Sequence, residues 1–117
     1  MIRFHEKNGV QIAEITDEGF QINSVQDAVD LLGDMYFNNC SSIVLRENNL
    51  HPDFFRLHTG FAGDVLQKFS NYKCRLAIIG DFSKYESKSL QDFIRESNKG
   101  NIVRFVKNIE IAYYSWT

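Results

Sequence analysis

The residues best suited to chemistry lie in one stretch of the chain, from Arg46 to Gly63. It contains two carboxylates, two imidazoles, a threonine hydroxyl and three phenyl rings, which belong to Glu47, Asp53, His51, His58, Thr59, Phe54, Phe55 and Phe61. An imidazole and a carboxylate within hydrogen-bond reach can transfer a proton or bind a metal ion together. The spacings match no zinc motif, and no GxSxG sequence supplies a serine nucleophile. The stretch is therefore either a small histidine–carboxylate catalytic site or a polar loop that turns through His51-Pro52-Asp53, with Asp53 capping a short turn.

The end of this stretch, Thr59-Gly60-x-x-Gly63, opens a predicted helix. The free N–H groups and the macrodipole at a helix N-terminus favour an anion, and glycines let a ligand approach the backbone closely. No Lys-Ser or Lys-Thr pair follows, so the motif is not a P-loop. Thr59 and Gly60 are therefore either an ordinary helix cap or a place of ligand contact or modification.

Apolar segments on both sides predict the elements that hold this stretch. Residues 42–45 form a short apolar run typical of a strand buried on both faces. The helix is indicated by apolar residues at positions i, i+3, i+4 and i+7, which are Ala62, Val65, Leu66 and Phe69. Residues 76–80 predict the next strand, and Asp81 follows its carboxyl end, the edge where open α/β sheets bind ligands. We expect Asp81 either to share a crevice with Glu47 and Thr59 or to form an ordinary turn.

The chain begins with a predicted β-hairpin. Residues 2–5 and 10–12 alternate on either side of Asn8-Gly9, which is a strong type I′ turn signal. His5, on the first strand, is expected to face solvent. Ser24 with Asp27 resembles a capping box and predicts a helix whose apolar face contains Val25, Ala28, Leu32 and Met35.

The last third of the chain predicts a helix, a strand and a short final helix. Ser89, with Asp92 three residues later, is expected to open the first of these helices, and Gly100 lies where a C′ glycine belongs. Residues 102–106 predict the strand, and Asn108 is expected to cap the final helix. The order ββαβαβαβα predicts a single α/β domain over residues 1–117, with a mixed sheet, an N-terminal β-hairpin and helices packed on the sheet.

Composition and charge exclude several classes of protein. The formal charge of −2 does not suit a protein that binds the phosphate backbone of nucleic acids. No apolar run approaches the roughly 18 residues that cross a membrane, and the first residues contain no signal-peptide core. Cys40 and Cys74 lack CxxC spacing and are expected to be buried thiols in a reducing cytosol. We therefore expect a cytoplasmic protein with no metal or cofactor that binds neither nucleic acid nor a membrane.

The order of elements resembles the STAS fold of anti-sigma-factor antagonists and their SpoIIAA-like relatives. The resemblance rests on the apolar triplet 43–45, the loop after it, Thr59-Gly60 at the helix start and the strand at 76–79. In those domains a regulatory Ser or Thr lies at the N-terminus of this helix, which is the place of Thr59 here. Leu57-His58-Thr59-Gly60 stands where the family has Asp-Ser-x-Gly. The resemblance implies a regulatory or binding module.

Whole segments of the chain resemble a small bacterial family catalogued as a domain of unknown function. These segments are residues 47–63, 68–72, 76–85 and 87–100. This second resemblance is longer and closer than the first, and it implies a bacterial origin without implying an activity.

The sequence favours a non-enzymatic cytoplasmic module that binds a protein or a small anionic ligand. Its expected recognition surface contains Glu47, His51, Asp53, Phe54, Phe55, His58, Thr59, Gly60 and Asp81. The alternatives are a small enzyme with its histidine–carboxylate site in the same stretch, or a homodimer formed through the aromatic C-terminus, Tyr113, Tyr114 and Trp116.

Overall fold

The computed structural model describes residues 1–116, except for the side chain of Ser115. The described part contains a five-stranded mixed sheet and four α-helices in the predicted order. The strands are β1 (Ile2–Lys7), β2 (Val10–Ile15), β3 (Ser42–Arg46), β4 (Arg75–Ile79) and β5 (Val103–Val106), and the helices are α1 (Val25–Phe37), α2 (Phe61–Asn71), α3 (Lys88–Ser97) and α4 (Ile109–Trp116). Between β3 and α2 the chain forms three short 3₁₀ turns, Glu47–Asn49, Pro52–Phe55 and Leu57–Thr59.

The strands lie in the sheet in their order along the chain. β1 pairs with β2 in antiparallel fashion, and β2 to β5 are parallel neighbours. Asn8 and Gly9 both have positive φ, 52° and 81°, as the predicted type I′ turn requires. Because each parallel strand is joined to its immediate neighbour by a helix, the carboxyl ends of β2 to β5 all meet at one edge of the sheet.

Alternate strand residues face two separate cores. Ile43, Leu45, Leu76 and Ile78 pack with buried residues of α1, α2 and α3 on one face of the sheet. The intervening residues Val44 and Ala77 pack with Ala112 and Trp116 of α4 on the other face. Three helices therefore cover one face and the short α4 covers the other, which explains why the central strands are apolar at consecutive positions.

Helix ends confirm two of the predicted caps. The Asp27 N–H donates to Ser24 Oγ at 3.1 Å, and the Asp27 carboxylate accepts the Asn23 N–H at 2.9 Å. The Ile111 N–H donates to Asn108 Oδ1 at 3.1 Å, as expected for the final helix.

The predicted ends of the third helix are wrong. α3 begins at Lys88, with Ser87 as its cap, and Ser87 Oγ accepts the Leu90 N–H at 3.2 Å. α3 stops at Ser97, because the side chain of the next residue, Asn98, pairs with the backbone of Phe105 at 2.7 and 3.2 Å. Gly100 is not among the glycines with positive φ, so it is not a left-handed C′ residue.

Cys40 and Cys74 are both free and buried, as expected. Burial raises the pKa of the Cys74 thiol to about 12, and the neighbouring Cys40 adds to this increase. In the described part of the chain no helix combines the length and apolar character needed to cross a membrane.

Candidate functional site

A cavity of about 520 Å³ lies at the carboxyl ends of β3 and β4. Arg46, the last residue of β3, and Ile79, the last residue of β4, both line it. Its other lining residues come from the loops that follow these strands and from the loop after β2, and they are Phe20, Glu47, Asn48, Leu50, Pro52, Phe55, Gly80, Lys84 and Tyr85. The cavity therefore lies at the edge of the sheet where α/β proteins bind ligands.

The buried Asn49 joins two of the loops that form this cavity. Its Oδ1 accepts the Arg46 N–H at 2.8 Å, and its Nδ2 donates to the carbonyls of Asp17 and Gly19 at 3.0 and 2.9 Å. Next to it, Leu50 forms a single parallel bridge with Ile22. These bonds hold the loop after β2 against the loop after β3, which brings Phe20 to the cavity.

The Glu47 carboxylate joins the loop after β3 to the loop after β4. Its Oε2 accepts the Tyr85 hydroxyl and lies 2.8 Å from Lys84 Nζ. Its Oε1 accepts no hydrogen bond from residues 1–116. Burial, followed by the hydrogen bond and the charge of Glu47, raises the pKa of the Tyr85 phenol above its usual value of 10.0. Tyr85 therefore keeps its proton and donates a hydrogen bond to the Glu47 carboxylate.

Gly80 allows Glu47 to occupy this position. A Cβ atom on Gly80 would lie 2.7 Å from Glu47 Oε1, 2.9 Å from Glu47 Cβ and 3.0 Å from Phe82 Cζ. These distances are shorter than van der Waals contact, so a side chain at position 80 would force Glu47 out of place.

Aromatic rings form part of the cavity wall. The Phe55 and Tyr85 rings are stacked, with centroids 5.2 Å apart and an interplanar angle of 15°. Phe20 is 55% exposed on the loop after β2. The wall is thus largely apolar, with the charged groups of Arg46, Glu47 and Lys84 among the lining residues.

Arg46 connects the cavity to a buried carboxylate on the α4 face of the sheet. Its Nη2 lies 2.9 Å from Glu14 Oε2, and its Nη1 donates to the Ile15 carbonyl at 3.0 Å. His5 Nε2 lies 3.0 Å from Glu14 Oε1, so His5 is partnered and does not simply face solvent. Burial alone raises the pKa of Glu14, but the hydrogen bonds from Arg46 and His5 outweigh it and place this pKa below its usual value.

The predicted site residues are divided between the cavity and other parts of the loop. Glu47 and Phe55 line the cavity, whereas Phe54 is 1% exposed and belongs to the core under α1–α3. His51 Nδ1 accepts the Asp53 N–H at 3.0 Å and lies 3.8 Å from Asp53 Oδ2. His51, and not Asp53 as predicted, caps the turn at Pro52–Phe55, and both residues belong to this polar turn.

The start of α2 differs from the predicted Thr59 cap, because Gly60 is the N-cap residue and supplies no side-chain cap to the helix. The Thr59 hydroxyl lies 3.0 and 2.9 Å from the carbonyls of Asp53 and Arg56 and accepts the Phe61 N–H at 3.2 Å. Gly60 has a φ of 78°, a left-handed conformation that glycine adopts without strain.

His58 and Asp81 do not join the other predicted site residues. His58 is exposed and has no hydrogen bond or ion pair with any described residue. Asp81 Oδ1 accepts the N–H and the hydroxyl of Ser83 at 3.1 and 2.6 Å, which caps the turn at Phe82–Lys84. Within residues 1–116 no group of three or more His, Cys, Asp and Glu side chains is placed to hold a metal ion.

Two of the three C-terminal aromatic residues pack against the core of the same chain. Trp116 is buried in the core under α4, and Tyr113 packs against the same core. The Arg75 guanidinium lies 5.2 Å from the centre of the Trp116 ring. Tyr114 remains exposed.

Sequence reasoning named two of the eleven lining residues, Glu47 and Phe55, as site residues, and it missed among others Phe20, Arg46, Lys84 and Tyr85. Arg46 is the final residue of β3, and Lys84 lies in the loop after β4. The rule that ligands bind at the carboxyl edge of an α/β sheet, which indicated Asp81, therefore applied to both residues. The contact of Tyr85 with Glu47, 38 positions away, had no local signal.

A family model described as a domain of unknown function, DUF4180, matches residues 7–114. The chain belongs to the DUF4180 family. The predicted resemblance to a family of this kind is therefore confirmed, and every residue that lines the cavity lies inside the DUF4180 match. Neither the curated proteins nor the solved structures contain a match to the chain.

Proposed function

We propose that this DUF4180 chain is a non-enzymatic binding module whose cavity takes a small organic anion with an apolar body. The observation that carries the proposal is the combination of two cationic side chains with an aromatic wall at the carboxyl edge of the sheet. The volume of about 520 Å³ lies within the range of ordinary small-molecule sites.

The charges that line the cavity favour an anion. Three charged residues line the cavity. Arg46 and Lys84 are cationic, and Glu47 is the one carboxylate. Guanidinium and ammonium groups are the usual donors to a ligand carboxylate, and Arg46 uses only part of its five-donor fork on Glu14 and Ile15. Phe20, Phe55 and Ile79 supply the apolar contacts for the rest of the ligand.

The arrangement of the protonatable groups favours binding over catalysis. The raised pKa of Tyr85 keeps this phenol protonated and makes it a weak acid, and Glu47 Oε2 already accepts from Tyr85 and Lys84. His51 and Asp53 lie outside the cavity lining and hold their own turn.

The wider proposal is a cytoplasmic, bacterial, STAS-like module in which ligand binding serves a regulatory purpose. The order of elements and the position of Thr59 before α2 support the STAS-like part of it. Two free thiols are consistent with a reducing compartment.

Three probes with the same ring and different charges test this function: phenylacetate, phenylacetamide and phenethylamine. In ¹H–¹⁵N NMR titrations we expect phenylacetate to bind most tightly and to shift the amides of Phe20, Gly80 and Tyr85. Lys84→Gln should weaken phenylacetate binding about twofold to fivefold, because Lys84 is 57% exposed and its charge is screened by solvent. Lys68→Gln, on α2, is the matched control and should change nothing. Equal binding of the three probes, or shifts confined to other surfaces, would contradict the proposal.

A further inference from the structure

The segment from Asn8 to Leu45 contains carboxylates but no basic side chain. Its acidic residues are Glu14, Asp17, Glu18, Asp27, Asp30 and Asp34, and the segment has no Lys, Arg or His. α3, in contrast, pairs its charges internally, as in Lys88–Asp92 at 3.0 Å and Arg95–Asp92. α1 is therefore an acidic helix with no cationic partner on the same element.

Exposed aromatic rings lie at the end of this acidic helix. Tyr36 is 72% and Phe37 is 85% exposed, and Tyr72, just after α2, is partly exposed. These three rings line a cavity of about 500 Å³ together with Gly33, Asn71 and Lys73. We call this surface the α1–α2 groove. It lies at the amino ends of β3 and β4, opposite the candidate anion cavity, because Phe37 ends the helix before β3 and Lys73 lies two residues before β4.

Gly33 keeps the groove open. Nothing lies within 4 Å of a Cβ atom added to Gly33, and its φ is not positive, so neither packing nor backbone conformation requires glycine here. Glycine in the middle of a helix is less stable than alanine. The missing side chain leaves space beside Tyr36 and Phe37 for a group from another molecule.

The charges around the groove select the chemistry of that molecule. Asp30 and Asp34 are exposed on α1, and the last turn of α1 contains no basic residue. The negative end of the helix dipole therefore adds to the field of the two carboxylates, and both favour a cation. Asp30 and Asp34 flank Gly33 along α1 without lining the groove, and the one charged lining residue, Lys73, comes from the α2 side. The same carboxylates repel nucleic acid and anionic lipid.

We propose that the α1–α2 groove docks a basic segment of a partner protein, with an apolar side chain entering beside Gly33 and Lys or Arg side chains meeting Asp30 and Asp34. An amphipathic helix with a basic flank has this pattern, since its apolar side chains recur every three or four residues. This surface is separate from the anion cavity, so it does not depend on the function proposed above.

A designed peptide pair tests the proposal on the intact chain. The cationic helix acetyl-KLLKKLLKKLLKKL-amide is titrated into ¹⁵N-labelled protein, and acetyl-ELLEELLEELLEEL-amide is the charge-matched control. We expect the cationic peptide alone to shift the amides of Gly33, Phe37, Asn71 and Tyr72. Binding of both peptides with equal affinity, binding of neither, or shifts elsewhere would overturn the proposal.

Variants distinguish binding at the α1–α2 groove from a general attraction of the cationic peptide to acidic residues. Gly33→Leu fills the groove, and Asp30→Lys with Asp34→Lys reverses its charge; each should weaken peptide binding at least tenfold. Phe37→Ser serves as a second groove variant in case Gly33→Leu unfolds the chain. Glu86→Lys, at an exposed carboxylate before α3, makes the same change of charge as Asp34→Lys alone and should alter affinity less than twofold. Equal effects of Asp34→Lys and Glu86→Lys, or tighter binding of phosphatidylglycerol vesicles or DNA than of the peptide, would contradict the assignment.

Discussion

Replacing Gly80 with alanine should break the contact between the two loops that line the anion cavity. The new Cβ would lie 2.9 Å from Glu47 Cβ as well as 2.7 Å from Glu47 Oε1. The terminal oxygen can move by rotation, but Glu47 Cβ cannot move without its backbone. Glu47 must therefore leave Tyr85 and Lys84, or β3 and β4 must separate at this edge.

The expected cost of Gly80→Ala follows from this overpacking. Such changes destabilise a protein by about 1–3 kcal/mol, which at this chain length lowers Tm by about 8 °C for a central value. Gly33→Ala is the matched control, because nothing lies within 4 Å of its added Cβ. It should instead raise Tm by about 3 °C, since alanine is the better helix former.

Thermal unfolding followed by circular dichroism measures both shifts. Phenol ionisation, followed by ultraviolet absorbance, provides an independent measurement on the same variants. Loss of the Glu47 acceptor should move the Tyr85 pKa down towards its usual value of 10.0 in Gly80→Ala alone. Equal Tm values for the two variants, with unchanged tyrosine titration, would refute the close contact between Gly80 and Glu47.

Three further predictions concern buried polar groups. Asn49→Ala should lower the free energy of unfolding by about 3 kcal/mol in urea titrations, because it removes three hydrogen bonds, each contributing about 1 kcal/mol, between the buried Asn49 amide and the backbone of two loops, whereas the exposed Asn48→Ala should cost under about 0.5 kcal/mol. The pKa of Glu14 is depressed in the folded state, so its stabilisation is present above its usual value of 4.5 and is lost as the pH falls through the folded pKa. Urea midpoints measured from about pH 6 to pH 3 should therefore fall more steeply for the wild type than for Glu14→Gln, and equal slopes would contradict the assignment. Cys40 and Cys74 should react with Ellman's reagent only after unfolding, since both are buried and the pKa of Cys74 is about 12; rapid reaction of the native protein would show that one thiol is accessible.

Local signals in the sequence predicted most of the fold. Positive φ at Asn8-Gly9 and the Ser24–Asp27 cap depend on neighbouring residues alone, and both are present as expected. The end of α3 is different, because Asn98 pairs with Phe105 across a loop. The apolar periodicity of residues 88–100 does not indicate this contact, so it could not predict where α3 ends.

The sequence predicted where the candidate site lies, but it did not predict most of the residues that line it. The strand-edge rule located the carboxyl ends of β3 and β4, and Glu47 and Phe55 lie there. His51, Asp53 and Thr59 have the right chemistry but are used in hydrogen bonds within their own turns. Their orientation depends on how three consecutive 3₁₀ turns fold, which Asn49 fixes through contacts about 30 positions away.

Reversal of one cavity charge tests the central claim most directly. Affinities of phenylacetate and phenethylamine are measured for the wild type and for Lys84→Glu by NMR titration, with Tm recorded to verify folding. The account predicts that the wild type prefers phenylacetate and that Lys84→Glu prefers phenethylamine, because the lining then contains two carboxylates and one cation. The same order of preference in both proteins would contradict an anion site at this edge of the sheet.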